Sequence, residues 1–260
     1  MAHLDTPQPV GAPVWVDLGT PDLDGAKALY SQLLGWTWGE SAPEFGGYTQ
    51  AHFQGDAVAG LGPLMGDAPP AWTLYFRTDD ADASAAAITA GGGSVVAPPM
   101  QIGPLGRMLV AQDPTGAFFG LWENGEMTGF QAFGDAGALA WADLRSPDPD
   151  AARAFYAPLL GWTYTPVPMA NDLYTTASLG NPAEPRVGLG DFMGVEGVPP
   201  HWAVYLCCAD VDAAVATLVA AGGTAHTPAF DSPFGRMCPV SDPWGAAFWL
   251  MSLPEGWTAP

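Results

Sequence analysis

The stretch Pro21-Asp-Leu-Asp-Gly-Ala-Lys-Ala-Leu-Tyr-Ser-Gln-Leu-Leu-Gly-Trp36 decides the fold, because the chain writes it twice. It returns as Pro147-Asp-Pro-Asp-Ala-Ala-Arg-Ala-Phe-Tyr-Ala-Pro-Leu-Leu-Gly-Trp162, 126 residues later. In the first copy Asp22 suits an N-cap, and Ala26, Leu29, Tyr30, Leu33 and Leu34 form a helical stripe that Gly35 ends. Outward from this helix, Trp15-Val-Asp-Leu18 returns as Trp141-Ala-Asp-Leu144 at the same offset, and Tyr48 as Tyr174. Pro69-Pro-Ala-Trp-Thr-Leu-Tyr-Phe76 returns as Pro199-Pro-His-Trp-Ala-Val-Tyr-Leu206 at an offset of 130. Gly106-Arg-Met108 matches Gly235-Arg-Met237, and Asp113-Pro-Thr-Gly116 matches Asp242-Pro-Trp-Gly245, both at 129. The drift places small insertions in loops between two domains of one ancestry.

Each copy reads alike. Strands are expected at Val14–Gly19, Tyr48–Phe53 and Val58–Leu61, then at Trp72–Thr78, a helix at Asp82–Ala90, and strands at Ser94–Ala97, Arg107–Ala111 and Phe118–Trp122. The two halves of a copy resemble each other weakly. Thr20-Pro-Asp-Leu-Asp24 aligns with Thr78-Asp-Asp-Ala-Asp82 at offset 58. Each copy is therefore βαβββ twice. The expected division is a flexible segment over 1–12, domains over 13–123 and 139–252, a linker over 124–138 and a tail over 253–260.

The chain has 260 residues, 48% of them hydrophobic, which is enough for two cores and too apolar for a disordered chain. With 27 acidic and 7 basic residues its net charge is −20, a poor match for nucleic acid or an anionic membrane surface. No apolar run approaches the roughly 20 residues of a membrane span, and the N-terminal residues lack the look of a signal peptide. The three cysteines, Cys207, Cys208 and Cys238, do not form a disulfide framework, so a cytoplasmic setting is expected. Gly91-Gly-Gly93 and Gly222-Gly223 follow helices rather than open them, so they read as helix stops and not as phosphate loops.

The helix motif, together with the late Asp-Pro-x-Gly ahead of the last strand of each copy, resembles the vicinal oxygen chelate superfamily. That group contains glyoxalase I, bleomycin-resistance proteins and extradiol dioxygenases. The resemblance implies an α+β fold of two tandem domains, each of two βαβββ units whose curved mixed sheets form a cup. It also implies where metal enzymes of the group carry His or Glu: on the first strand of each unit and on the last strand. Those slots fall here on Trp15, about Thr73 and Gly120, and on Trp141, about Ala203 and Trp249. None is a metal ligand, and the chain has four histidines in all. No metal site and no cofactor are expected.

Aromatic rings take the slots instead. Trp15, Tyr75, Trp141, Tyr205 and Trp249, with Tyr48, Tyr174 and Trp122, are candidates to line the cups, against the alternative that they only fill a core. Asp17 and Asp143 face the same way by strand alternation and are candidate general bases; His52 is a third acid–base candidate. Arg107 and Arg236, repeated in a chain poor in cations, are candidate anchors for a ligand oxygen, or else partners of carboxylates. His201 is a candidate rim residue. Three functions stay open: a metal-free protein that binds a hydrophobic, by preference aromatic, small molecule for sequestration or resistance; a metal-independent hydroxylase- or cyclase-like enzyme of secondary metabolism; and a metal lyase or dioxygenase of the glyoxalase kind. The chain is expected to act as a monomer or homodimer.

Overall fold

A computed structural model describes residues 6–168, 173–192 and 197–254. The first domain runs β1 (Pro13–Thr20), α1 (Leu23–Leu34), β2 (Thr37–Trp38), β3 (Thr49–Phe53), β4 (Asp56–Pro63), β5 (Ala71–Thr78), α2 (Ala81–Ala90), β6 (Ser94–Ile102), β7 (Gly106–Gln112) and β8 (Phe118–Asn124). The second runs β9 (Leu139–Arg145), α3 (Pro149–Leu160), β10 (Thr163–Pro166), β11 (Thr175–Ser178), β12 (Pro185–Gly190), β13 (His201–Cys207), α4 (Val211–Ala220), β14 (Thr224–Ala225), β15 (Phe230–Ser232), β16 (Gly235–Ser241) and β17 (Ala247–Ser252). Each domain is one mixed sheet, ordered β2-β3-β4-β1-β5-β8-β7-β6 and β10-β11-β12-β9-β13-β17-β16-β14, with β15 paired to β16. The βαβββ unit is thus present four times.

The quarter-repeat is written in the caps. Asp22, Asp80, Asp148 and Asp210 each stand at the N-cap of a helix and accept a hydrogen bond from the backbone N–H three residues on. The stripe of α1 buries Ala26, Leu29, Tyr30, Leu33 and Leu34, the residues whose spacing predicts it. Gly35 ends α1 at φ 73° and Gly161 ends α3 at φ 72°, the left-handed turn that glycine adopts without strain.

The helices cover one face of each sheet, against Val14, Val16, Leu18, Leu74 and Phe76 in the first domain. The two domains meet through this covered face. Trp36 Nε1 donates to Gly137 O and Trp162 Nε1 to Gly11 O, so each motif tryptophan ties the segment that enters the other domain. Tyr156 and Trp162 pack with Phe76 and Trp202, and Tyr30 packs with Trp36, Trp72 and Phe248.

Two segments expected to be loose are held. Gly11 and Ala12 bond the backbone of Arg77, whose guanidinium also reaches Gln8 O. In the linker, Phe130 N donates to Val14 O and Gln131 N to Ala57 O, while Gln131 Oε1 accepts from Ala57 N. The linker is wedged between the starts of β1 and β4, where their parallel pairing has not begun. Residues 1–5 and 255–260 lie outside the described residues.

Candidate functional site

The candidate residues lie on the face of each sheet opposite the helices, where Trp15, Tyr75 and Tyr205 are buried and Trp141 and Trp249 partly exposed. Cross-strand register sets Trp15 opposite Tyr75 and Tyr75 opposite Gly120, while Trp141 faces Tyr205 and Tyr205 faces Trp249. The middle slot is therefore Tyr75 and Tyr205. Thr73 and Ala203 pair instead with Asp17 and Asp143, one row further along. These rows hold two rings and a glycine, and three rings. Among the described residues no three His, Cys, Asp or Glu side chains gather as a metal ion would require. The slots do not fit the divalent metal that the fold implies.

In the second cup Asp143 is buried and holds four donors. Trp141 Nε1 and Tyr174 Oη donate to its Oδ1 at 2.8 and 2.7 Å; Arg145 Nη2 and Tyr205 Oη donate to its Oδ2 at 2.7 and 2.9 Å. The Arg145 guanidinium also lies 5.9 Å from the centre of the Tyr174 ring. Tyr205 stacks on Trp249 at 5.1 Å, and Phe230 meets the edge of the same indole. Burial, then the Asp143 charge, pushes Tyr174 and Tyr205 above the usual tyrosine range, so both remain donors.

The first cup has the same rings and different polar wiring. Trp15 Nε1 donates to Tyr48 Oη at 2.9 Å rather than to a carboxylate. Gly19 stands where the second copy has Arg145. Asp17 keeps a hydrogen bond from Tyr75, and no cation pairs with it among the described residues. The residue is partly exposed, while protein surrounds its carboxyl. Burial pushes its pKa up to about 7, which the Tyr75 bond only partly offsets.

Glycines make room for these rings. A side chain at Gly60 would collide with Tyr48 Oη, one at Gly188 with Tyr174 Oη and Asp143 Oδ1, and one at Gly120 with the Tyr75 ring. Gly62 and Gly190 lie under the same tyrosines. Sequence reasoning missed this floor, although its signal was present: Gly60-Leu-Gly62 repeats as Gly188-Leu-Gly190. It missed Arg145 and Phe130 as well; the Phe130 ring lies 5.7 Å from Trp15 and closes that side of the first cup.

Other expected residues are placed differently. Arg107 bonds Asp82 on α2 at 2.9 Å and Glu123 at 3.3 Å, and Arg236 takes both carboxylate oxygens of Asp212 on α4, with Asp231 alongside. Strand alternation turns both toward the helices, while Met108 and Met237 take the cup side; the carboxylate alternative for these arginines is the one observed. Trp122 Nε1 donates to Met127 O at 2.9 Å, so that ring anchors the linker. His52 sits on β3, opposite Thr37 of the edge strand β2 and beside Gly39. His201 does reach the rim: it pairs with Arg145 across the strands and donates from Nδ1 to Pro199 O at 2.8 Å. Burial chiefly, with the Arg145 cation adding to it, lowers its pKa and leaves Nε2 an unprotonated acceptor.

Comparison with known proteins agrees with the fold. Residues 12–121 match the family described as glyoxalase/bleomycin resistance protein/dioxygenase superfamily, and residues 141–251 match a glyoxalase-like domain. The chain belongs to that superfamily, as a tandem member. CFP32 of Mycobacterium bovis, a glyoxylase by name, is 38% identical over 92% of this chain and 93% of its own. DnrV of Streptomyces peucetius, named an anthracycline biosynthesis protein, is 37% identical over 96% of each chain. The fold is shared with a Mn(II)-bound glyoxalase from Novosphingobium aromaticivorans, with a TM-score of 0.64 at 20% identity over 94% of this chain and 82% of that one. No helix of the described residues is long and apolar enough to cross a membrane.

Proposed function

We propose that this glyoxalase-superfamily protein binds a hydrophobic, aromatic small molecule in its Trp- and Tyr-lined cups, without a divalent metal, for sequestration or resistance. The observation that carries the reading is the pair of rows Trp15–Tyr75–Gly120 and Trp141–Tyr205–Trp249 at the slots where metal enzymes of the group carry ligands. Partly exposed Tyr48, Trp141, Tyr174 and Trp249 offer flat faces for stacking, and the polar atoms beside them orient a ligand that carries oxygen. The name of DnrV supports a polycyclic aromatic ligand. Three buried free thiols suit a reducing cytoplasm.

Titration with polycyclic phenols and quinones, read by quenching of tryptophan fluorescence, tests the reading. Trp141→Ala or Trp15→Ala weakens binding; unchanged affinity in both removes these rings from the site. Metal analysis after incubation with Fe(II), Mn(II), Zn(II) and Ni(II) is the companion experiment. Stoichiometric, tightly held metal would revive a lyase or dioxygenase. A second reading, a metal-independent enzyme of secondary metabolism acting on a similar molecule, is favoured by one residue: Asp17, an acid poised near neutral pH on the cup wall.

A further inference from the structure

The two cups are copies that have parted in one respect. Asp143 accepts four hydrogen bonds, one from a guanidinium, and has no acceptor site left for a guest. Asp17 has Gly19 in place of that guanidinium, and Trp15 has turned its N–H to Tyr48. Because Tyr48 Oη accepts from Trp15, its own proton remains to be given. The first cup therefore presents a carboxyl with open acceptor capacity between two phenols, on an aromatic wall.

We propose that the Asp17 carboxylate accepts a hydrogen bond from the hydroxyl of a phenolic ligand, while the second cup, whose Asp143 has no free acceptor site, holds ligand without that bond. The inference rests on the reading of the cups as binding sites. Tyr48 has its own proton left to donate to the ligand oxygen. The titratable groups that face Asp17 are Tyr48 and Tyr75, from the loop ahead of β3 and from β5. The other strands beside it present Trp15 and Gly19 on β1 and Gly60 and Gly62 on β4. Burial and then the Asp17 charge push both phenols above the usual range, so they remain protonated while Asp17 titrates.

Two variants test this. Asp17→Asn removes the charged acceptor and keeps the shape. Gly19→Arg copies the second cup, and a side chain is tolerated there: its Cβ would meet only Leu64, Ala71 and Pro63 at 3.8 to 3.9 Å. The probes are 2-hydroxyanthraquinone, whose hydroxyl is free to donate, and unsubstituted anthraquinone. The parent should hold the hydroxylated probe about tenfold more tightly than the plain one, the worth of one charge-assisted hydrogen bond. Both variants should lose the preference. If both probes bind and the variants behave as the parent does, the role of Asp17 is overturned and the cup remains a binding site. If neither probe binds the parent, the binding reading falls, and this inference with it.

Discussion

Tyr156 Oη on α3 donates to Asp113 Oδ2, 3.0 Å away in the Asp-Pro-Thr-Gly turn of the other domain. Its counterpart runs the opposite way, from Tyr30 on α1 to Asp242 at 3.3 Å. Both tyrosines are fully buried, and Oδ1 of each aspartate also accepts backbone N–H groups of its own turn. The repeated helix motif and the Asp-Pro-x-Gly turn thus lock the two domains together. Tyr156→Phe should cost about 2 kcal/mol, as expected for a buried bond to a charged acceptor, and Tyr30→Phe less, since its bond is longer. Urea unfolding measures both. Ligand titration of the cups should be unchanged in both variants.

Asp17 makes stability depend on pH. Its folded pKa, about 7, lies above the ordinary 3.8, so the folded state binds the proton more tightly than the unfolded chain. That contribution is fully present below about pH 4, declines as pH rises, and is gone above about pH 7. Asp17→Asn has no charge to bury. It should unfold like the parent at pH 4 and be the more stable protein at pH 8, by up to about 4 kcal/mol on a three-unit shift. Denaturation midpoints at the two pH values decide it; a difference that stays constant would mean that Asp17 titrates as an ordinary carboxylate.

The fold was legible because its signals are local and repeated. Helix stripes, Asp caps, Gly stops and the 126-residue echo each reflect short-range physics, and the duplication doubled the evidence. That Trp15 and Asp17, and Trp141 and Asp143, share a face of β1 and β9 followed from strand parity. Arg107 and Arg236 left two readings open in the sequence, ligand anchor or carboxylate partner, and each clamps an acid in the first turn of a helix over its strand. Arg145 was visible as a difference between Trp-Val-Asp-Leu-Gly19 and Trp-Ala-Asp-Leu-Arg145. What it does depends on its side chain lying back along the strand to reach Asp143, and a sequence does not show that contact.

That contact has its own consequence. Arg145→Met leaves the buried Asp143 charge with neutral donors and no cation, and should cost about 3–5 kcal/mol. Arg145→Met combined with Asp143→Asn removes both charges, so the pair should recover much of the loss. A double-mutant cycle by chemical denaturation reads the coupling directly. A strictly additive cycle would mean that the 2.7 Å pair contributes nothing beyond its separate members.

The glycine floor predicts which small change harms the cups most. Gly188→Ala sets a methyl group against Tyr174 Oη and Asp143 Oδ1, both pinned by the Arg145 cluster, so the ring must leave its place. Gly180→Ala is a control of the same chemistry in open space, though at φ 84° it carries backbone strain that Gly188 does not. Gly188→Ala should weaken aromatic ligand binding to the second cup by tenfold or more, about 1.4 kcal/mol, and Gly180→Ala should lower stability without that loss. Fluorescence titration separates the two outcomes.

The domain junction is asymmetric at Trp244, whose indole lies against Gly25 of α1, with 2.6 Å between its Cζ2 and the place a Cβ would take. The matching position in the first domain is Thr115, and the groove between α2 and α3 beside it stays open, lined by Ala87, Ala90, Pro114, Ala151 and Phe155. One groove is filled by a ring that the other lacks. Trp244→Thr makes the two alike. It should cost about 2 kcal/mol, less than a fully buried tryptophan because part of this ring already meets solvent. Thermal unfolding should show the loss, and tryptophan quenching by cup ligands should persist, because Trp244 sits on the helix side of the sheet. Loss of quenching together with stability would mean that the junction sets the shape of the cups.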